Sequence, residues 1–182
     1  MYAGFLDLTL PLWWTVDDAL PPALTDRYAH RMITATDAEP GLISGGVYDP
    51  VRRNNTRVMW DDASEADGLL ERVRDHVPTE MSGRHLAGAN PRLRLYRYTA
   101  GQRHSAHWDT IVTLPDGRRS QLTLVVYLND GFEGGETEFP ELGEVVAPRR
   151  GRALLFQHRV LHRASEVRSG EKVVLRTDVL YR

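Results

Sequence analysis

The stretch SQLTLVVYLN, residues 120–129, is rich in β-branched and aliphatic residues and follows the turn signal Pro115-Asp116-Gly117. Read with a period of two, it places Ser120, Leu122, Leu124, Val126 and Leu128 on one face. Gln121, Thr123, Val125, Tyr127 and Asn129 fall on the other. The first face is packing surface, and the second has the polar character of a cavity wall. KVVLRTDVLY (172–181) repeats the arrangement: Val173, Leu175, Thr177, Val179 and Tyr181 pack, while Lys172, Val174, Arg176, Asp178 and Leu180 share the opposite face. Two cations and a carboxylate are costly to bury unless they meet opposite charge. Either Arg176 and Asp178 pair with each other or with solvent, or an anion enters.

Around these two stretches the second half of the chain reads as strands and turns. RLRLYRY (92–98) alternates, FEGGETEF (132–139) bends at a Gly-Gly pair, and RALLFQH (152–158) follows Gly151. The first half reads differently. PPALTDRYAHRMITA (21–35) opens on prolines suited to a first helical turn and spaces Leu24, Tyr28 and Met32 four apart. SEADGLLERVRDHV (64–77) begins with a capping-box-like Ser64-x-x-Asp67 and aligns Leu69, Leu70, Val73 and Val77. Helices followed by a run of strands predict a mainly β chain with flanking helices, α+β in class. The expected form is one domain over 1–182, with helical support over about 1–90. That support packs on one sheet of an antiparallel barrel or jelly roll over about 91–182.

The chain has 182 residues, 41% of them hydrophobic and 26% charged, which suits one globular core. A net charge of −2 offers no basic field for nucleic acid or an anionic membrane, and Arg149-Arg150-Gly151-Arg152 reads as a solvated local patch. With no cysteine, disulfides, thiolate metal sites and cysteine nucleophiles are excluded, so any metal must rest on His, Asp or Glu. MYAGFLDLTLPLWW, at the start, lacks a basic leader region and carries Asp7, and no apolar run is long enough to span a bilayer. The expected location is cytoplasmic.

In HSAHWD (104–109), alternation puts His107 and Asp109 on one face and His104 and Trp108 on the other, so Trp108 reads as core. An H-x-D on a strand is a ready pair of metal ligands, and taken alone equally a surface hydrogen bond. Lys172 is the only lysine among 23 Lys and Arg residues.

Taken in order, YTAGQRHSAHWD, LTLVVYLNDGFEGGETEF, GRALLFQHRVLH and GEKVVLRTDVLY resemble the iron(II)/2-oxoglutarate-dependent dioxygenases of the prolyl 4-hydroxylase type, collinearly over roughly residues 92–182. The resemblance implies a double-stranded β-helix with a facial triad of His107, Asp109 and a distal histidine. In the family pattern that histidine precedes the terminal cation by about ten residues, which selects His162 over His158 and leaves His158 as a packing or supporting residue. The same pattern implies that Lys172 grips the distal carboxylate of 2-oxoglutarate, with Tyr98 and Tyr127 hydrogen-bonding it. Thr123 and Arg176 are further cosubstrate candidates. Such a triad leaves three adjacent iron positions open for 2-oxoglutarate and O2.

The implied cofactor set is Fe(II), 2-oxoglutarate and O2, with ascorbate allowed beside them. The implied reaction hydroxylates an unactivated C–H bond as 2-oxoglutarate becomes succinate and CO2. Asp109 favours hydroxylation, because related halogenases replace that carboxylate with a small residue. Nothing in the chain resembles a peptide-substrate module, which favours a small-molecule or amino-acid-like substrate. Hydroxylation of a prolyl or other side chain in a peptide or protein is the alternative. RRNNTRVMW (52–60) reads as a polar loop outside the strands that supplies Asn54, Asn55 and Arg57 as substrate contacts, and Arg119 flanks the site in sequence. Two competitors carry less. A nucleic-acid demethylase of this fold lacks its characteristic arginine arrangement after His162, and a non-catalytic metal-binding barrel would be expected to lose a triad member or the cation.

Overall fold

The computed structural model describes residues 6–182. The first five residues of the N-terminal stretch read above against a leader lie outside the described residues. In chain order the elements are β1 (Trp13–Val16), α1 (Pro22–Thr34), β2 (Glu39–Pro40), β3 (Thr56–Asp61), α2 (Ala63–Glu71), β4 (Glu80–Met81), β5 (Arg84–Ala89) and β6 (Arg92–Thr99). Next come β7 (His104–His107), β8 (Arg119–Tyr127), β9 (Glu133–Gly134), β10 (Thr137–Phe139) and β11 (Glu144–Val146). The last four are β12 (Ala153–Gln157), β13 (His162–Ala164), β14 (Val167–Ser169) and β15 (Glu171–Tyr181). Among the described residues no helix is long and apolar enough to cross a membrane.

The strands form a major antiparallel sheet in the order β1-β12-β8-β15-β6-β3-β2, with β5 joined to β15 and β4. A minor sheet runs β11-β10-β13-β7, and β14 pairs with β9. Period-two alternation sorts the side chains of the major sheet into two cores. Leu93 and Leu95 of β6, Leu122 and Leu124 of β8, and Leu175 and Val179 of β15 pack with Tyr28 and Met32 of α1 and Leu69 and Leu70 of α2. Their neighbours Tyr96, Tyr98, Tyr127 and Val174 face the minor sheet and pack with Phe139 and Phe156. The helices therefore cover one face of the major sheet, and the site lies on the other, between the sheets.

Two local expectations change. The first ninety residues are not only helical support, because β1 and β3 extend the major sheet on either side. β3 pairs with β6 from Thr56↔Arg97 to Asp61↔Arg92, so RRNNTRVMW is half strand rather than loop. Its polar sequence reflects a place near the sheet edge, where only Val58 is fully buried. The cap of α2 is Asp62, whose side chain accepts from Glu65 N–H at 2.8 Å, and Ser64 lies inside the helix. α2 ends at Glu71 and a 3₁₀ turn, Arg74–His76, follows, yet Leu69, Leu70, Val73 and Val77 are all buried as their spacing predicts. The basic patch is neutralised locally: Arg149 pairs with Asp17 and Asp18, Arg150 with Asp26 and Arg152 with Asp17.

Candidate active site

β7 and β13 pair with His107 opposite His162, which brings two imidazoles together at the edge of the minor sheet. A register irregularity in this ladder breaks the alternation assumed from sequence. His104 consequently turns toward the same side, and its ring stacks on that of His107 with centroids 3.6 Å apart. Strand β7 also ends at His107, so parity does not extend to the next residues. Trp108 is 40% exposed rather than core. Asp109 sits beyond the strand, positioned by its N–H donating to the His158 carbonyl at 3.0 Å.

One nitrogen from each of His107 and His162 and one carboxylate oxygen of Asp109 lie within 4.8 Å of one another. The imidazoles are oriented by backbone carbonyls: His107 Nδ1 donates to Ser105 O at 2.8 Å and His162 Nδ1 to Val160 O at 3.0 Å. This fixes the tautomer and leaves both Nε2 atoms facing the carboxylate. Burial, reinforced by His162, pushes His107 down to about 3, and burial likewise lowers His162, so both rings are neutral as metal ligation requires. Burial opposes ionisation of Asp109, but Arg176 together with the imidazoles of His162, His107 and His158 outweighs it and holds the carboxyl well below the usual range. Two oriented neutral imidazoles and a carboxylate are a donor set suited to a ferrous ion.

Asp109 is itself held on both sides. Thr123 Oγ1 donates to Oδ2 at 2.5 Å, and Arg176 Nη2 lies 2.9 Å from Oδ1. Arg176 also meets Asp178 Oδ1 at 3.1 Å, while Arg94 and Asn90 reach Asp178 Oδ2 at 3.3 and 3.0 Å. Arg176 therefore pairs with carboxylates beside the ligands, and Thr123 holds Asp109. His158 is 1% exposed with Nε2 3.7 Å from Asp178 Oδ1, in line with a supporting place.

Lys172 is 2% exposed, and among the described residues no carboxylate pairs with it. Its Nζ donates to Gly135 O at 2.5 Å and lies 5.3 and 5.5 Å from the ring centres of Tyr98 and Tyr127. The approach depends on the Gly-Gly bend. Gly134 and Gly135 both have positive φ, and a Cβ on Gly134 would stand 2.2 Å from Glu166 O. Burial lowers the Lys172 ammonium to about 7 and raises Tyr98 to about 12. Burial also raises Tyr127, whose hydroxyl is 2.7 Å from Thr137 Oγ1.

Two cavities meet at the triad. An inner chamber of about 50 Å³ is lined by His107, Asp109, His162, Tyr98, Thr123 and Lys172. An outer groove of about 400 Å³ shares His107, Asp109 and Arg176 with it and extends past Arg53, Arg94 and Trp108. The substrate contacts expected from sequence are not gathered here. Asn54 accepts from Arg103 N–H and donates to Gly101 O, Asn55 is buried against Arg53, and Arg57 pairs with Glu39 on the sheet. Arg119 lines a separate cavity with His158 and Arg84. Sequence reasoning missed Arg53 and Arg94. Arg94 had a signal, since it shares the β6 face of Tyr96 and Tyr98; Arg53, in irregular backbone, had none.

Comparison with known proteins agrees with this geometry. A model of the 2OG-Fe(II) oxygenase superfamily matches residues 93–177. A PKHD-type hydroxylase of Psychrobacter is 30% identical over 175 residues, covering 90% of this chain and 66% of the relative. A probable prolyl 4-hydroxylase of Arabidopsis thaliana is 36% identical over 149 residues, covering 65% of this chain and 50% of the relative. The chain thus spans about half to two thirds of the length of these curated relatives. The solved structure of a Trichoplax adhaerens prolyl hydroxylase with a hypoxia inducible factor peptide shares the fold, at TM-score 0.73 and 16% identity over 94% of this chain and 84% of that one. With the expected double-stranded β-helix and triad in place, the chain belongs to the 2OG-Fe(II) oxygenase superfamily and is of the prolyl 4-hydroxylase-like type.

Proposed function

We propose that the protein is a 2-oxoglutarate-dependent hydroxylase acting on an unactivated C–H bond of a prolyl residue in a peptide or protein. The observation that carries this reading is the junction at the triad, where a small chamber holding a buried ammonium opens into a larger groove. His107, Asp109 and His162 would hold Fe(II), which when bound couples O2 reduction and the conversion of 2-oxoglutarate to succinate and CO2 to hydroxylation of the substrate.

The chain's own residues supply position and exclusion of water. Among the described residues no carboxylate forms an ion pair with Lys172, and Glu136 acts on it only at longer range, so the distal carboxylate of 2-oxoglutarate supplies the missing partner. Tyr98 places a phenol beside that carboxylate, and Val125, Phe156 and Val174 keep the chamber walls dry. Thr123 and Arg176 fix the Asp109 carboxylate so that it does not swing when ligands exchange. The substrate enters from the groove, whose rim residue Trp108 is exposed.

The names of the relatives, together with the peptide held by the Trichoplax protein, favour a prolyl residue in a chain over the small molecule expected from sequence. Anaerobic loading with Fe(II) and 2-oxoglutarate, then exposure to O2, is expected to release succinate, and proline-containing peptides to gain 16 Da. Absence of both metal binding and succinate release would overturn the enzyme reading. A 16 Da gain on a free amino acid alone would return the substrate to the small-molecule class.

A further inference from the structure

The outer groove holds more positive charge than its own carboxylates neutralise. Arg53, Arg94 and Arg176 all line it, and all three lie close enough to act on the Tyr96 phenol. Burial alone would push that phenol up, but the guanidiniums of Arg176, Arg53 and Arg94 outweigh it and hold the phenol below its ordinary value. Against these three permanent cations the groove sets Asp109 and Asp178. Asp109 is committed to the metal in the function proposed above, and Asp178 is already shared between Arg94 and Arg176.

Arg94 and Arg176 pair with carboxylates, whereas Arg53 has no carboxylate partner among the described residues. It is 6% exposed, and its plane lies over the Tyr96 ring at 4.6 Å. Its Nε donates to Asn55 Oδ1 at 2.7 Å and its Nη1 to Leu42 O at 3.0 Å, which clamp the guanidinium in place. Its Nη2 is buried and makes no hydrogen bond of good geometry, and neither does Nε of Arg176, although both guanidiniums lie within reach of the Tyr96 phenol. A charged donor left buried and unpaired is expensive, which makes such a group an acceptor-seeking site. Arg52, at the rim, is exposed and faces Asp49, so it adds little.

We propose that the outer groove selects substrates by a carboxylate close to the residue being hydroxylated, received by Arg53 with Arg94 beside it. The carboxylate is either the C-terminal carboxylate of the substrate or the side chain of an acidic neighbour; a guanidinium fork reads both alike. This proposal rests on the hydroxylase reading for its substrate. It differs from that reading in predicting discrimination among prolyl compounds that are otherwise matched.

The test measures binding by calorimetry to the anaerobic protein with Fe(II) and 2-oxoglutarate, and again without metal. One arm compares N-acetylproline with N-acetylprolinamide. The other compares amidated acetyl-Pro-Asp with amidated acetyl-Pro-Asn. At least one acid is expected to bind about tenfold more tightly than its neutral match, as one charge-assisted contact supplies, and the arm that shows the gap identifies the source. Arg53→Gln is expected to reduce the gap to about twofold or less. Arg94→Gln, which leaves the Arg53 clamp intact, is expected to narrow it, guarding against a folding defect in the first variant. Equal binding of acid and amide in both arms, including no binding of either, overturns the proposal. So does a rise in the 2-oxoglutarate requirement of Arg53→Gln matching its loss of acid binding, because that would assign the arginine to the cosubstrate. Release of succinate by the unmodified protein without substrate separates these failures from failure of the hydroxylase reading.

Discussion

The inner chamber and the outer groove meet at the same carboxylate but handle charge in opposite ways. Away from the shared Asp109 and Arg176, the chamber holds one ammonium beside tyrosine rings and aliphatic walls, with a single backbone carbonyl as its hydrogen-bond partner. The groove holds a cluster of guanidiniums cross-linked through Asp178 and Asp109. A compact point charge suits a cavity of about 50 Å³, where the proposed function seats one end of a small dianion. Planar forks suit a cavity of about 400 Å³, where several groups must be held at fixed angles. The chain's only lysine and its arginines are therefore not interchangeable basic residues.

Asp109→Ala strikes the point where the two regions join. It is expected to abolish Fe(II) binding and succinate release together, as read by anaerobic metal titration and product analysis. Arg176→Met tests the groove's charge network: leaving Asp178 and Asp109 buried beside fewer partners is expected to cost about 3–5 kcal/mol of stability, measured by urea unfolding. A loss below 1 kcal/mol would show that the network is not structural. Lys172→Ala tests the chamber alone. It is expected to raise the 2-oxoglutarate requirement about 100-fold, corresponding to about 2.7 kcal/mol, while metal affinity changes little. Equal loss of both would make the lysine a structural residue.

The smallest effect is a pH dependence. Burial places the free Lys172 ammonium at about 7, and a bound carboxylate raises it, so binding takes up a proton above that value. Affinity for 2-oxoglutarate should be flat below about pH 7. It should then fall by about tenfold per unit as pH rises, until the raised value of the complex is reached. Lys172→Arg, always charged, should remove the slope.

Strand parity made much of this site legible. The faces of β8 and β15 sort as the alternation requires, because each strand is long and flanked by partners on both sides. That regularity carried Thr123, Tyr127, Lys172 and Arg176 to the correct side. Parity failed where the ladder did: the irregular pairing of β7 with β13 turned His104 inward, and the strand's end released Trp108. β3 was hidden for a different reason. Its pairing comes from β6, more than thirty residues on, and its sequence carries the polarity of a sheet margin. Arg53 was invisible because its orientation comes from Leu42 O and Asn55, contacts that no local pattern encodes.

The solitary lysine also gives the molecule a chemical address. No other side chain carries a primary amine, and burial leaves this one substantially deprotonated at pH 8. An amine-directed acylating reagent small enough to enter the chamber would therefore modify one side chain. A carboxylate bound there would shield it, so the yield of modified Lys172 would count empty chambers without any turnover.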